Sequence, residues 1–277
     1  MNETARLLSW QEKDLKQICI KIQDAAGMTK AVERGHGEVS LVYSDTYREG
    51  DHIIVEIEEK HTFYLIRLDD AGEGAVLYLT EDLHYEIPFG EKRINRSPKI
   101  FAGEKHLLYV RKARAYETDA YRNLAYNPWD QHGNTGCFPH ASANVETRGE
   151  SVFAAMNAID GIKATSCHGE WPYQSWGINQ RADARLRLDF GRQVCIDRLI
   201  LYTRADYPHD NWWESAVVTF SDGSEMTLEL LKTGEAQEFL LEEKQAEWLI
   251  LDRLIKGEED GSPFPALSQI EVYGKPC

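Results

Sequence analysis

Alternation of apolar and polar residues at every second position is the feature that most constrains this 277-residue chain. The segment ARLRLDFG (184–191) places leucine, leucine and phenylalanine between charged residues, and GEVSLVY (37–43) and HIIVEIE (52–58) follow the same rule. Successive side chains of a strand point to opposite faces of a sheet, so this period predicts half-buried strands. Turn residues such as Asp222-Gly223 separate the runs. A mostly β protein built from antiparallel sandwiches is therefore expected.

The alternation is interrupted over residues 114–135, which are rich in Asn, Gly, Asp and aromatic residues. We predict two β-sandwich domains, over residues 1–120 and 138–277, joined by a linker over 121–137. Two domains are a usual number for a chain of this length. The first domain is expected to begin with a short helix within residues 2–20. Tyr126 and Trp129 are expected to pack against neighbouring structure and stiffen the linker. The role of the first domain is not indicated.

The formal net charge of −15 argues against two classes of partner. An acidic surface repels the phosphates of nucleic acid and of anionic membranes, so neither is expected as a partner. No apolar run approaches the ~20 residues of a membrane helix. The first residues lack the apolar segment of a secretory signal, which predicts a cytoplasmic protein, or a secreted one if a leader has been removed.

The five cysteines are odd in number and widely spaced, and no CxxC pair occurs. This pattern predicts no disulfide framework and no thiolate zinc site. We interpret the cysteines mainly as buried small apolar residues, with Cys277 as an exposed thiol at the tail.

Motifs of known catalytic chemistry are missing from the sequence. GxSxG, the Walker loop and GxGxxG do not occur, and the histidines show neither HxH nor HExxH spacing. A glycosidase needs two carboxylates beside a cleft, and the sequence alone pairs none. We therefore favour a function without catalysis and keep catalysis as an alternative.

Aromatic and polar side chains are concentrated in two predicted loops of the second half. The first loop joins two strands near Arg204 and Ser215, and the second is HGEWPYQSWG (168–177). Loops between strands commonly carry binding residues, and aromatic walls with a few polar groups suit a sugar. The predicted carbohydrate-binding residues are Arg204, Tyr207, His209, Asp210, Asn211, Trp212, Trp213, His168, Trp171, Tyr173 and Trp176.

A structural role for these tryptophans is the alternative, because loop tryptophans often close the end of a sandwich. Adjacent Trp212 and Trp213 cannot both face the core of an extended strand. About half of Trp171, Trp176, Trp212 and Trp213 are therefore expected to be structural. Phe264 is expected either at the same rim or over the core.

Four segments in order, ASAN (141–144), NAIDG (157–161) with Thr165, LRLDFGRQVCIDRLILYTR (186–204) and IEVYG (270–274), carry a family resemblance. With them, residues 138–275 resemble the F5/8 type C (discoidin-like) or galactose-binding-like family, which includes family 32 carbohydrate-binding modules. The resemblance implies an eight-stranded jelly roll.

The same resemblance implies a structural Ca²⁺ held by Asp160, Thr165 and Glu271, with backbone carbonyls near Asn157 and Ile162. Calcium prefers six to eight oxygen ligands, which such a loop can supply. The alternative is that Asp160-Gly161 forms only a turn and that Glu271 is a solvated strand residue.

The function expected from these features is carbohydrate binding without catalysis, through the two loops of the second domain. The first alternative is a glycan-active enzyme of the glycoside hydrolase type, with its site at the domain junction. The second is a protein-interaction module, because discoidin-like folds also bind proteins. The sequence names neither the sugar nor the oligomeric state.

Overall fold

The computed structural model of the chain describes residues 15–167, 169–205, 211–257 and 263–277. Within these ranges the protein is mostly β, as predicted, and all its sheets are antiparallel. None of the helices in this part of the chain is both long and apolar enough to cross a membrane.

The strands are β1 Gln17–Gln23, β2 Thr29–His36, β3 Glu38–Tyr43, β4 His52–Ile57, β5 Thr62–Arg67, β6 Ala75–Leu79, β7 Leu83–Glu86, β8 His106–Lys112, β9 Arg122–Asn123, β10 Cys137–Phe138, β11 His140–Ala143, β12 Trp176–Gly177, β13 Leu186–Arg204, β14 Trp213–Phe220, β15 Glu225–Glu229, β16 Gln237–Lys256 and β17 Ala266–Pro276. The helical segments are the α-helix Ala115–Thr118 and the 3-10 turns Gly90–Arg93, Thr147–Gly149, Ser151–Phe153 and Ala155–Ile159.

The first sandwich packs a four-stranded sheet, in the order β2-β1-β4-β7, with a five-stranded sheet, in the order β10-β6-β5-β8-β3. Every second residue of β3, starting at Val39, is buried, as the alternating sequence requires. Burial of each large apolar side chain in such a core contributes about 1.5–3 kcal/mol. Residues 17–20, where the leading helix was expected to end, belong to β1 instead. Residues 15 and 16 are not helical either, and residues 2–14 of the expected helix lie outside the described residues.

The second sandwich is a jelly roll built on two long strands, β13 and β16, that each run through both layers. The first part of β13 pairs with β11 and with residues 248–251 of β16, and its later part pairs with β17 and residues 237–246 of β16. The register shifts between Asp189 and Val194, where the strand bends. The core lies between the layers and contains Phe190, Trp176 and Trp213, none of which is exposed.

The segment 121–137 is built into both sandwiches. Its β9 pairs with β17, and the adjoining β10 pairs with β6 of the first sandwich. Trp129 is buried in the first core, where its Nε1 donates to the carbonyl of Ile66 over 3.2 Å. The hydroxyl of Tyr126 donates to Glu73 over 2.7 Å. Both aromatic residues therefore pack as expected, while the division of the chain at 121–137 stays a prediction.

A disulfide joins Cys195 to Cys277, so the prediction of unpaired cysteines was wrong for these two residues. Cys195 lies opposite Lys275 in the pairing of β13 with β17, which brings the end of β17 beside it. The two Cα atoms are 5.1 Å apart. Cys19 and Cys137 are free and buried, as predicted, and burial raises the pKa of both thiols. Cys167 is free but exposed, which the sequence did not indicate.

We expect Cys277→Ser to lower the free energy of unfolding by about 4 kcal/mol, because the bond closes a loop of 82 residues in the unfolded chain. Thermal denaturation with and without a reductant measures the effect. The matched control is Cys167→Ser, which should leave the midpoint unchanged. Equal midpoints for wild type and Cys277→Ser in oxidising buffer would contradict the bond.

Candidate functional site

The described parts of the two predicted loops lie at one end of the second sandwich. Pairing of Arg204 with Ala266 and of Trp213 with Lys256 aligns the strand ends there. The second loop reaches them because Arg204 Nη1 donates to the carbonyl of Tyr173. The turn 231–236 joins them, because Thr203 Oγ1 donates to the carbonyl of Thr233 over 2.9 Å. We call the described residues 169–175, 211–212, 231–236 and 263–265 the loop rim.

Trp176 and Trp213 lie beneath the loop rim, in the core. Both are fully buried, with ring centroids 6.2 Å apart, and Trp176 Nε1 donates to the carbonyl of Val145 over 3.0 Å. The prediction that they contact a ligand was wrong, because each begins a strand with its side chain directed inward. They support the rim instead.

Arg204, Asn211 and Tyr173 are also buried, so the prediction that they contact a ligand needs the same correction. Arg204 Nη1 donates to the carbonyl of Tyr173 over 2.7 Å, and Asn211 Oδ1 accepts from the backbone N–H of Trp212 over 2.7 Å. Through these hydrogen bonds the side chains of Arg204 and Asn211 hold the loop backbones. A buried polar group needs such a hydrogen-bond partner.

Trp171 and Trp212 are the members of the predicted set that reach the surface. Trp171 is 37% exposed, and Trp212 is half-buried with Lys232 Nζ 5.4 Å from its ring centroid. Trp212 and Trp213 thus face opposite ways, as an extended strand requires. Phe264 adds a third exposed ring, whereas nothing in the sequence singled out Lys232. The predicted residues His168, Tyr207, His209 and Asp210 lie outside the described residues.

The predicted calcium ligands are engaged by donors of the protein itself. Asp160 is buried and accepts from the N–H of Ile162 over 2.8 Å and from Gln174 Nε2 over 3.1 Å. Burial raises the pKa of Asp160 to about 7, although both hydrogen bonds act to lower it. Both carboxyl oxygens of Asp160 already accept hydrogen bonds from the protein.

Glu271 forms an ion pair with Lys163, a residue of the same loop as Asp160. Lys163 Nζ also donates to the hydroxyl of Tyr202 over 3.1 Å and lies 4.5 Å from its ring centroid. No described contact joins Thr165 to either carboxylate. This donor set does not fit a calcium ion, because an ammonium group already joins the loop to the last strand.

We expect a chelator to leave the unfolding midpoint unchanged and Lys163→Met to lower stability by about 2 kcal/mol, because Glu271 would stay buried without its partner. Thermal denaturation measures both effects. The matched control is Lys275→Met, which changes an exposed lysine of β17, the strand that contains Glu271. A midpoint that rises on adding calcium to wild type would restore the calcium prediction.

A cavity of about 310 Å³ lies apart from the loop rim. Its lining residues are His132, Gly133, His140, Ala141, Ser142, Ala143, Asn144, Val145, Glu146 and Gly149. Each histidine has a carboxylate partner: His132 Nε2 lies 2.8 Å from Glu146, and His140 Nδ1 lies 2.8 Å from buried Asp130. The partners are 14 and 10 residues apart along the chain, a spacing that matches no motif by which the sequence could reveal them.

The carboxylates act on both imidazoles. The hydrogen bond from His132 to Glu146 raises the pKa of His132. Burial lowers the pKa of His140, but the hydrogen bond to Asp130 and the charge of that carboxylate outweigh burial and raise it overall. Both histidines therefore hold a proton to higher pH than the ordinary value of about 6.5.

We expect His140→Gln to destabilise the protein most below about pH 6, with the difference from wild type shrinking towards pH 8. A histidine whose pKa is raised in the folded state stabilises the protein at pH values below its pKa in the unfolded state. This stabilisation is lost as pH rises through its pKa in the folded state. Thermal denaturation across this range tests the sign, with His84→Gln, an exposed residue of β7, as control. A difference that grows with pH would be the opposite result.

The comparisons with known proteins concern the second half of the chain. A family model described as "Domain of unknown function (DUF7402)" matches residues 137–260. No curated protein matches the chain.

Solved structures similar to this chain include three sugar-binding modules. Chitosan-binding module 1 of a chitosanase/glucanase from Paenibacillus sp. IK-5 is 20% identical, with 55% of this chain and 98% of that chain covered and a TM-score of 0.37. The lectin domain of lectinolysin complexed with Lewis B antigen is 19% identical, with 55% and 96% covered and a TM-score of 0.41. A Streptococcus pneumoniae fucose binding module is 17% identical, with 57% and 98% covered and a TM-score of 0.39.

Proposed function

We propose that the second sandwich binds a carbohydrate at the loop rim and that it does so without catalysis. The observation that carries this proposal is that the exposed ring of Trp171 and the half-buried ring of Trp212 both belong to the loop rim, with the buried Trp176 and Trp213 in the core beneath it. Large aromatic surface is costly to leave in water, and rings at a rigid rim offer flat apolar faces to a ligand.

The chemistry of the loop rim suits a sugar. The C–H groups of a pyranose ring pack on an aromatic face, and its hydroxyls need polar partners at the edge. Lys232, whose Nζ lies over the Trp212 ring at 5.4 Å from its centroid, brings a cationic donor group to the rim. The contacts of Arg204 and Asn211 with the loop backbones fix the rim before a ligand arrives, which lowers the entropy cost of binding.

The ligands named for the similar structures supply the probes for this proposal. They are chitotriose, which was bound to chitosan-binding module 2 of the same Paenibacillus enzyme, the Lewis B antigen and fucose. Assignment of the second half to the F5/8 type C family in particular is part of the proposal.

We also propose an oxidising compartment as the site of action. The disulfide between Cys195 and Cys277 is of a kind that reducing cytosol seldom preserves. The disulfide thus favours a location outside the cytoplasm, in contrast to the cytoplasmic location expected from the sequence. Such a location suits a ligand at or near a cell surface.

Trp171→Ala and Trp212→Ala should each weaken sugar binding about tenfold, because each loses an aromatic stacking contact of about 1.4 kcal/mol. A glycan array first selects the sugar, with the three probes included. Titration by calorimetry then gives the dissociation constants. The matched control is Trp248→Ala, a half-buried tryptophan of β16 that lies under Arg187.

Unchanged affinity in both rim variants, with a sugar that wild type binds, would place the site elsewhere. Equal losses in Trp248→Ala would mean that the effect is one of general stability. A protein-interaction module would be favoured by two results together. Wild type would bind no glycan, and it would capture a protein partner that Trp171→Ala no longer captures.

A glycan-active enzyme is the second candidate, and the cavity lined by His132, His140 and Glu146 favours it. Histidines oriented by carboxylates are common general acids and bases. Hydrolysis of a chromogenic glycoside by wild type, lost in Glu146→Gln while binding at the rim persists, would establish this candidate. No turnover by wild type would remove it.

A further inference from the structure

Arg122 and Arg192 lie over the same aromatic ring where the two sandwiches meet. The Cζ atom of Arg192 is 4.4 Å from the ring centroid of Phe63, and that of Arg122 is 5.9 Å from it. Tyr78 extends the aromatic surface, with its centroid 5.2 Å from that of Phe63 and 5.3 Å from Arg192 Cζ. Two cations, Arg122 of β9 and Arg192 of β13, thus lie over one aromatic ring of the first sandwich.

Neither arginine forms an ion pair with a described carboxylate, although acidic residues number 46 against 31 basic ones. Other arginines of the chain do form ion pairs: Arg198 Nη1, for example, lies 2.7 Å from Glu238 Oε1. Burial lowers the pKa of both Arg122 and Arg192, and the charge of Arg122 lowers that of Arg192 further. Two like charges are therefore held together in a poorly solvated place.

The two guanidinium groups form one side-chain hydrogen bond within the described part of the chain. Both Nε atoms are buried without a hydrogen-bond partner. Arg192 Nη1 donates to the carbonyl of Phe190 over 3.1 Å, and no side-chain hydrogen bond of Arg122 is found in the described part of the chain. Buried donors without acceptors are costly, and such exceptions in a protein call for a missing partner.

Packing alone accounts for one arginine but not for two. A single guanidinium over an aromatic ring is a favourable arrangement. A second one beside it adds repulsion and further unsatisfied donors without covering a new ring. An anion between the two groups removes both costs, because it accepts the free N–H groups and neutralises the paired charge.

We propose that Arg122 and Arg192 form an oxyanion-binding site on the surface of Phe63 and Tyr78. The ligand is a carboxylate, sulfate or phosphate group carried by a small molecule. The planar guanidinium forks match the geometry of such groups, and the adjacent rings pack against the carrier. The site lies on the face between the sandwiches and is independent of sugar binding at the loop rim.

The first test measures the unfolding midpoint of the full chain at constant ionic strength. Potassium chloride is replaced in turn by potassium sulfate, phosphate and acetate, which distinguishes the three groups. Wild type should gain about 3 °C or more in at least one of these salts relative to chloride. Sulfate and phosphate also stabilise proteins generally, so the informative part of the gain is the part that depends on the two arginines. Arg122→Met and Arg192→Met should lose that part, whereas Arg198→Met should keep the full gain.

The second test does not depend on the folding of a variant. The protein is labelled with ¹⁵N-arginine, and the Nε–H resonances are followed during titration with each anion. Two Nε–H resonances should shift together and saturate, and Arg122→Lys and Arg192→Lys should each remove one of them. Equal anion responses in wild type and both methionine variants, or Nε–H resonances that do not move in any anion, would overturn the proposal.

Discussion

Backbone pairing of β13 and β16 in both layers of the second sandwich is the constraint on which the rest of that half depends. Because each strand bends from one layer into the other, the same hydrogen bonds that close the core also fix where the strands end. Arg204 and Lys256 mark two of those ends, and the loop rim begins there. The position of the exposed tryptophans therefore follows from the lengths of two strands.

Burial at the loop rim shows how a binding surface and a core share one set of residue types. Trp213 faces inward and Trp212 outward, so one tryptophan closes the sandwich and its neighbour is available to a ligand. Arg204 is buried with its charge directed at the backbone carbonyl of Tyr173. Side chains that look suited to sugar recognition in sequence are here the supports of the surface.

Much of the fold was predictable because alternation at every second residue reports directly on sheet faces, as in β3 and β13. The register of distant strands was not, and this explains the missed disulfide, since Cys195 and Cys277 meet only through the pairing of β13 with β17. The histidine and carboxylate pairs of the cavity are only 10 and 14 residues apart along the chain, but no sequence motif marks them. The ammonium of Lys163 was visible in the sequence, but only its contact with Glu271 shows that it takes the place expected for an ion.

The segment 121–137 has a consequence for the order of events during synthesis. Trp129 and Cys137 complete the core of the first sandwich, although they follow the end of its last long strand, β8, by 17 and 25 residues. A nascent chain released from the ribosome only as far as β8 lacks the largest side chain of that core. The first sandwich thus finishes folding only when the segment that leads into the second sandwich has emerged. Synthesis of that segment therefore sets the time at which the first core is complete.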